Sequence, residues 1–231
     1  HCTPATRSYF VEPILKVPGT HFVYQPPEYL PPLRHKPGPG IRFCSFNHTA
    51  KLNTEVLSCW AGILKQVPDA SLTLKWRSLR DPQFGGWLRA RFSSLGIADE
   101  RIILEPASTH AGMLAHYNSM DIALDPFPYC GGLTTLEALS MGVPVVTMPW
   151  QRPISRQSAA VLKTLGFEHL IAGTPAEYVD IAVNLAKYTQ MLESLRQSLR
   201  PAVENHLHTH AARVAAGLES IYADLIDGLT L

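Results

Sequence analysis

The chain has 231 residues, of which 46% are hydrophobic and 17% charged, so it is large and apolar enough to bury one sizeable core. Its formal net charge is +1 and its 20 basic residues are dispersed, which excludes the basic footprint of a nucleic-acid-binding or membrane-surface protein. No apolar run approaches the roughly 20 residues that a membrane helix requires, and no signal-peptide pattern opens the chain.

The cysteines do not stand at the spacing of a zinc-ligand pair or a disulfide framework. A chain of this length can build its core without cross-links, so we expect reduced thiols and a cytoplasmic location. The chain begins with His1 rather than methionine, from which we expect a fragment that lacks part of its functional unit. The four cysteines are Cys2, Cys44, Cys59 and Cys130.

The first 40 residues carry nine of the 19 prolines of the chain. Because proline cannot donate a backbone hydrogen bond, few helices or strands form at this density. We predict that residues 1–40 are a linker or the end of a preceding domain, and that residues 41–231 form one nucleotide-binding domain with a helical tail.

From residue 41 onward, short apolar runs alternate with amphipathic segments that carry helix start and stop signals. Asn53 is predicted to cap the first helix, Asp81-Pro82 to begin the second, and residues 174–177 (TPAE) to form a capping box. We predict strands at 41–46, 72–76, 101–105, 122–124 and 143–147, and helices that begin at 53, 81, 109, 134 or 135, 154 and 174. The remainder is predicted to be helical.

Strands separated by helices of 10 to 15 residues imply right-handed βαβ crossovers. The predicted fold is therefore α/β, a doubly wound and mostly parallel Rossmann-like sheet with extra carboxyl-terminal helices. In such a sheet, ligands bind at the carboxyl ends of the strands, near the point where strand order reverses. The loops that meet there contain Asn47, His48, Lys51, Ala107, Ser108, His110 and the glycine-rich turn 131–135.

The segment 121–147 (DIALDPFPYCGGLTTLEALSMGVPVVT) predicts a buried strand, a glycine-rich turn, a helix and a second buried strand. The start of a helix presents unpaired N–H groups and about half a unit of positive charge, so it can bind a diphosphate. The alternative, from these residues alone, is a simple tight turn followed by a helix cap. The candidate diphosphate donors are Gly131, Gly132, Leu133, Thr134, Thr135 and Lys51, with Glu137 placed to accept hydrogen bonds from a ribose.

Much of the chain, from about residue 41 to 199, resembles the carboxyl-terminal catalytic half of the O-linked N-acetylglucosaminyltransferase and SPINDLY family of glycosyltransferases. The segments that carry the resemblance are FCSFNHTAKLNTEVLSCWAGILKQVPDASLTLKW, DIALDPFPYCGGLTTLEALSMGVPVVTMP, SRQSAAVLKTLGF and EYVDIAVNLA. The resemblance implies the two-domain GT-B architecture, in which this half binds the nucleotide-sugar. A preceding half, and in some members helical repeats, would then be partners.

Residue by residue, the resemblance implies that Lys51 is the diphosphate-binding lysine and that His48 is its polar neighbour. It places the diphosphate loop at Gly132, Leu133, Thr134 and Thr135, with Glu137 on the ribose. It further implies an inverting, metal-independent transfer from a nucleotide-sugar to a protein hydroxyl. Because Glu137 stands where family members carry either aspartate or glutamate, the donor is open between UDP-N-acetylglucosamine and GDP-fucose.

Three departures from the family pattern leave a non-catalytic alternative open. Cys130, Leu133 and Met113 depart from residues common in the family, which favours a degenerate nucleotide-binding module used for interaction.

The histidines of HLHTHAA are interpreted as a polar loop before the last helix rather than as a metal site, since no cysteine or carboxylate cluster lies nearby in the sequence. That last helix, with Val214, Leu218, Ile221 and Leu225 on one face, is expected to pack on this domain or on the missing half. The three histidines are His206, His208 and His210.

Overall fold

A five-stranded, fully parallel sheet forms the centre of the protein in a computed structural model that describes residues 4–17, 23–35 and 38–229. The order of the strands is β3-β2-β1-β4-β5. The α/β doubly wound fold predicted from the sequence is thereby confirmed. The strands are β1 (Arg42–Ser45), β2 (Ser71–Lys75), β3 (Ile102–Glu105), β4 (Ile122–Leu124) and β5 (Val145–Val146).

Helices cover the sheet and extend the chain beyond it. α1 packs against α6, whereas α4 packs against both α5 and α7. All the predicted helices are present, with ends that differ by a few residues from the sequence-based bounds. They are α1 (Thr54–Gln66), α2 (Pro82–Ser94), α3 (His110–His116), α4 (Leu133–Ser140), α5 (Gln157–Leu165), α6 (Pro175–Lys187) and α7 (Thr189–Leu229).

Side-chain caps explain where the helices start. The Asn53 side chain accepts a hydrogen bond from the Val56 N–H at 3.0 Å, and the Asp81 side chain caps α2 in the same way. Thr174 caps α6 as the sequence predicts. α5 ends at Gly166, whose φ of 82° lies in the left-handed region that glycine adopts without steric cost.

The order of the strands places a topological switch beside β1. The chain builds β1, β2 and β3 outward in one direction, then returns to add β4 on the other side of β1. Loops that leave β1 and β4 therefore diverge at the carboxyl ends of the strands, which opens a crevice between them. This crevice is the expected ligand site.

The segment 23–35 lies against the folded domain. Tyr24 is only 8% exposed, and Arg200 of α7 donates a hydrogen bond of 2.8 Å to the Pro31 carbonyl. The Arg34 N–H donates to the Asn118 side chain at 2.8 Å. The proposed boundary at residue 40 stays a prediction, but this proline-rich segment follows the surface of the domain rather than leading away from it.

The expected loop around the three histidines is wrong, because α7 continues without a break through them. From Leu199 onward, the described buried side chains of α7 follow one another at intervals of four, seven and four residues, so a single stripe runs across the polar segment. They are Leu199, Val203, His210 and Val214. The His206 and His210 rings lie 4.3 Å apart. The side chain of His208 lies outside the described residues. Beyond Val214, Leu218 and Ile221 are half-buried and Leu225 is exposed.

Within the described ranges, no helix is both long and apolar enough to cross a lipid bilayer. Three of the four cysteines are free thiols and buried, namely Cys44, Cys59 and Cys130. Cys2 lies outside the described residues.

Candidate functional site

Lys51 lies at the mouth of the crevice, on the loop that follows β1. Its Nζ donates hydrogen bonds of 2.9 Å to the Asn47 side-chain oxygen and to the Cys130 carbonyl. The ammonium also lies 4.6 Å from the centre of the Tyr129 ring, a cation–π distance. An ammonium has three donors, so within the part of the chain described here one N–H remains for a ligand. Burial lowers the pKa of Lys51, and the nearby Asp125 carboxyl partly opposes that shift.

The glycine-rich turn is held in place by a buried carboxylate. Asp125, at the end of β4, accepts hydrogen bonds from the Gly131 N–H at 2.6 Å and from the Thr147 hydroxyl at 2.7 Å. The Ser158 hydroxyl donates to the Gly131 carbonyl at 3.1 Å, so both backbone groups of Gly131 are paired. Burial raises the pKa of Asp125, while its hydrogen bonds favour the carboxylate. The turn is therefore anchored from two sides.

The helix that follows the turn begins at Leu133, one or two residues earlier than predicted, with Gly132 at the N-cap position. Neither threonine caps it, because each hydroxyl has another partner. Thr134 donates to the Asn47 side-chain oxygen at 3.2 Å, whereas Thr135 turns inward to Ser158 at 2.8 Å. Because the backbone N–H groups in the first turn of a helix lack an intrahelical acceptor, those of α4 are candidate donors to a ligand.

Asn47 connects Lys51, on the loop after β1, to Thr134 in the first turn of α4. One side-chain oxygen accepts both the Lys51 ammonium and the Thr134 hydroxyl. The lysine is thereby held beside the amino end of α4, where its charge adds to the positive end of the helix dipole. This combination of one cation, backbone N–H groups and a hydroxyl is suited to an anion such as a diphosphate.

A second polar cluster lies one helical turn further along α4. Glu137 is 3% exposed, and its Oε1 atom lies 2.7 Å from His110 Nε2. His110, the first residue of α3, lies 2.8 Å from the Tyr29 hydroxyl through its Nδ1 atom. Burial raises the pKa of Glu137, and the hydrogen bond from His110 works in the opposite direction.

Two of the remaining predicted residues, His48 and Ser108, lie apart from these two clusters. His48 uses its Nδ1 atom to accept the Ala50 N–H at 2.9 Å, and its ring lies 5.0 Å from the Trp76 ring. Ser108 is exposed, and its hydroxyl donates to the Thr109 carbonyl at 3.2 Å. Leu133, at the start of α4, exposes 53% of its surface beside the turn. The geometry thus groups Lys51 with Gly131, Gly132, Leu133 and Thr134, and His110 with Glu137.

Sequence reasoning treated Asp125 only as the end of a strand and did not assign it a role. A carboxylate directly after a buried strand and six residues before a glycine pair was the signal that could have identified it. Tyr29 was also missed, because its partner His110 lies 81 residues away along the chain. No local pattern connects two residues at that separation.

Comparison with known proteins places this geometry in a family. Residues 34–210 match the model of glycosyl transferase family 41. The chain is 36% identical to the probable UDP-N-acetylglucosamine–peptide N-acetylglucosaminyltransferase SPINDLY of Solanum lycopersicum and 35% identical to that of Arabidopsis thaliana. In each case, 96% of the chain is aligned. It spans only 24% and 25% of the lengths of those two proteins.

A solved structure agrees with the sequence comparison. The chain superposes on a variant of the O-GlcNAc transferase of Thermobaculum terrenum with a TM-score of 0.90 and 33% sequence identity. The match covers 96% of the chain and 42% of the solved one. The resemblance inferred from the sequence is confirmed, and the chain belongs to glycosyltransferase family 41.

Proposed function

We propose that the chain is the donor-binding half of an inverting glycosyltransferase, which moves a sugar from a nucleoside-diphosphate sugar to a serine or threonine hydroxyl of a protein. The observation that supports this proposal is the placement of the Lys51 ammonium beside the amino end of α4, through Asn47 and the Cys130 carbonyl. An acceptor-side half would lie outside this chain.

In the proposed reaction, the acceptor hydroxyl oxygen attacks the anomeric carbon from the face opposite the diphosphate, and its proton passes to a base that the acceptor-side half would supply. The bond from that carbon to the diphosphate oxygen breaks, and negative charge develops on the leaving group. Lys51 and the N–H groups of Gly132, Leu133 and Thr134 would stabilise this charge more strongly in the transition state than in the bound donor. Since the chain supplies this positive potential itself, the proposal does not require a metal ion.

The nucleotide would extend from the diphosphate loop along α4, so that Glu137 accepts hydrogen bonds from the ribose. The activity for which the two SPINDLY relatives are named favours UDP-N-acetylglucosamine as the donor. GDP-fucose is the second candidate, because the family resemblance leaves both donors open when the acidic residue is a glutamate such as Glu137. Measuring the affinity of the chain for UDP and for GDP separates the two candidate donors.

A non-catalytic interaction module is the alternative function. One observation favours it: the Lys51 ammonium already has two internal acceptors, as a purely structural lysine would. On this alternative, the turn and Lys51 stabilise the fold and no nucleotide binds.

Calorimetric titration of the chain with UDP and with GDP tests the proposal. We expect one of the two to bind, and Lys51→Ala to weaken that binding by about 10- to 100-fold, the effect of removing one charge-assisted hydrogen bond. Lys163→Ala is the matched control, because Lys163 is an exposed lysine on α5 and should leave the affinity unchanged. Failure of the unmodified chain to bind either nucleotide would overturn the donor-binding role and favour the interaction module.

A further inference from the structure

Three hydrogen-bonded side chains connect the proline-rich segment to the proposed ribose position. Tyr29 lies in the segment 23–35, and its hydroxyl lies 2.8 Å from His110 Nδ1. The Tyr29 and His110 rings meet edge to face, with an interplanar angle of 88° and centroids 5.7 Å apart. The other nitrogen of His110, Nε2, lies 2.7 Å from Glu137 Oε1. His110 is thus held between a phenol and a buried carboxylate.

The donors and acceptors of Tyr29, His110 and Glu137 fit one arrangement of protons. An ionised carboxylate can only accept, so His110 Nε2 carries the proton that bonds to Glu137. In a neutral imidazole, Nδ1 is then the acceptor, and the Tyr29 O–H donates to it. The hydroxyl of Tyr29 thereby selects the His110 tautomer that donates to Glu137 and also fixes the orientation of the ring.

This arrangement determines what Glu137 offers a ligand. Its Oε1 atom is paired with His110, whereas its Oε2 atom has no hydrogen-bond partner among the described residues and would accept from a ribose hydroxyl. Because the Glu137 side chain is only 4% exposed, water does little to stabilise its charge, and the hydrogen bond from His110 takes over that role. Loss of the correct His110 tautomer would leave Glu137 prone to take up a proton and would convert it to a weaker acceptor.

We propose that Tyr29 is a positioning residue for ribose recognition, which acts through His110 to keep Glu137 an oriented, ionised acceptor. This inference rests on the proposed function, since it takes a nucleoside diphosphate as the ligand. It assigns to the segment 23–35 a share in the discrimination between ribonucleotides and deoxyribonucleotides.

Binding of UDP, 2′-deoxy-UDP, GDP and 2′-deoxy-GDP to the chain and to Tyr29→Phe tests this role. The variant loses only the hydroxyl and keeps the ring. We expect the preference of the unmodified chain for the ribonucleotide to fall by about 3- to 10-fold in Tyr29→Phe, the effect of one neutral hydrogen bond. The affinity for inorganic pyrophosphate should stay the same, because the diphosphate loop is untouched. Tyr222→Phe, at an exposed tyrosine of α7, is the control and should change neither value.

An equal loss of pyrophosphate binding in Tyr29→Phe would mean that the hydroxyl supports the site as a whole, and it would overturn the positioning role. An unchanged ratio of ribonucleotide to deoxyribonucleotide affinity, or no preference in the unmodified chain, would also overturn it. Failure of the unmodified chain to bind any nucleotide is a different result, because it removes the proposed function and the ribose role with it.

Nitrogen-15 NMR of histidine-labelled protein supplies a readout that needs no nucleotide. The chain has ten histidines, so the His110 signals are identified by their disappearance in His110→Gln. We expect His110 to be the Nε2–H tautomer in the unmodified chain and to become a mixture of tautomers in Tyr29→Phe. An identical tautomer in both proteins would overturn the proposed action of Tyr29 even if nucleotide binding were confirmed.

Discussion

The side chain of Asp125 accepts a hydrogen bond of 2.6 Å from the backbone N–H of Gly131. This contact ties the end of a central strand to the glycine-rich turn, across six residues of chain. It also brings the Cα atom of Gly131 so close to its neighbours that a side chain cannot be accommodated. A Cβ atom there would lie 2.6 Å from the Thr135 hydroxyl oxygen, 2.8 Å from that of Thr134 and 2.9 Å from the Asp125 carboxylate.

We therefore predict that Gly131→Ala distorts the turn and weakens nucleotide binding by at least about tenfold. The Thr135 hydroxyl is held by Ser158, so the crowding is relieved only by movement of the turn itself. The expected loss in the free energy of unfolding is about 1–3 kcal/mol, the usual effect of overpacking a closed site. Urea denaturation and calorimetric titration measure the two effects.

Gly86→Ala is the control for this substitution. Gly86 lies inside α2, and a Cβ atom there meets nothing within 4 Å. Because alanine is the better helix former, this variant should gain about 0.5–1 kcal/mol and bind nucleotide normally. A Gly131→Ala protein as stable and as active in binding as Gly86→Ala would contradict the close packing of the turn.

The order of strands and helices could be predicted because each element carries a local signal. Apolar runs mark the strands, caps such as Asn53 and Thr174 mark helix starts, and glycines mark helix ends. The error in α7 arises from the same kind of reasoning. Three histidines looked like a polar loop, but His210 occupies a position on the buried stripe between Val203 and Val214, and a pattern of residue types alone does not reveal that burial.

The candidate site was only partly predictable, because its key contacts join residues far apart in sequence. Lys51 and the glycine-rich turn were expected to meet from the topology of the sheet. Asn47 was expected at this edge of the sheet with them, but its hydrogen bond with Thr134, 87 residues away, was not predicted. The contact between Tyr29 and His110, across 81 residues, was not predicted either. Thr135 illustrates the opposite case: it was expected to face the ligand, but its hydroxyl is buried against Ser158.

At the opposite end of the sheet, the Asp121 carboxylate is paired with Arg42 and His35. One Asp121 oxygen lies 2.9 Å from Arg42 Nε and the other 2.7 Å from His35 Nε2. Although burial acts to raise the pKa of Asp121, its hydrogen bonds with Arg42 and His35 outweigh burial and hold that pKa below its ordinary value of 3.8. We predict that Asp121→Asn lowers the free energy of unfolding at neutral pH by about 3 kcal/mol, because it leaves the half-buried Arg42 guanidinium without a charged acceptor.

The pH dependence of this difference follows from the direction of the shift. A depressed pKa means that the folded protein binds fewer protons than the unfolded chain, so the contribution of Asp121 is fully present above pH 3.8 and is lost as the pH falls through the folded value. Urea unfolding of both proteins between pH 5 and pH 3 should therefore show the difference shrinking. Asp99→Asn, in an exposed pair with Arg89, is the control and should cost at most about 1 kcal/mol. A difference that grows on acidification would contradict the role of the pair.

The Cys130 thiol should resist alkylation in the folded protein. Cys130 is 1% exposed, its Sγ donates to the Ile154 carbonyl at 3.1 Å, and burial raises the pKa of its thiol to about 11. Since the thiolate is the nucleophile, only about one molecule in a thousand would be reactive at pH 8. We expect iodoacetamide at pH 8 to leave Cys130 unmodified in buffer and to modify it in urea, as measured by mass spectrometry of its peptide.

Rapid modification of Cys130 in buffer would contradict this environment, and it would carry a consequence for the diphosphate loop. The backbone carbonyl of Cys130 accepts a hydrogen bond from Lys51 Nζ, so a group attached to the sulfur would push aside the acceptor that orients the lysine. Bound nucleotide should therefore slow any residual modification in proportion to its occupancy, because a ligand on the loop stabilises the folded turn in which the sulfur is buried. Protection that does not depend on nucleotide concentration would instead place Cys130 outside the part of the turn that responds to the ligand.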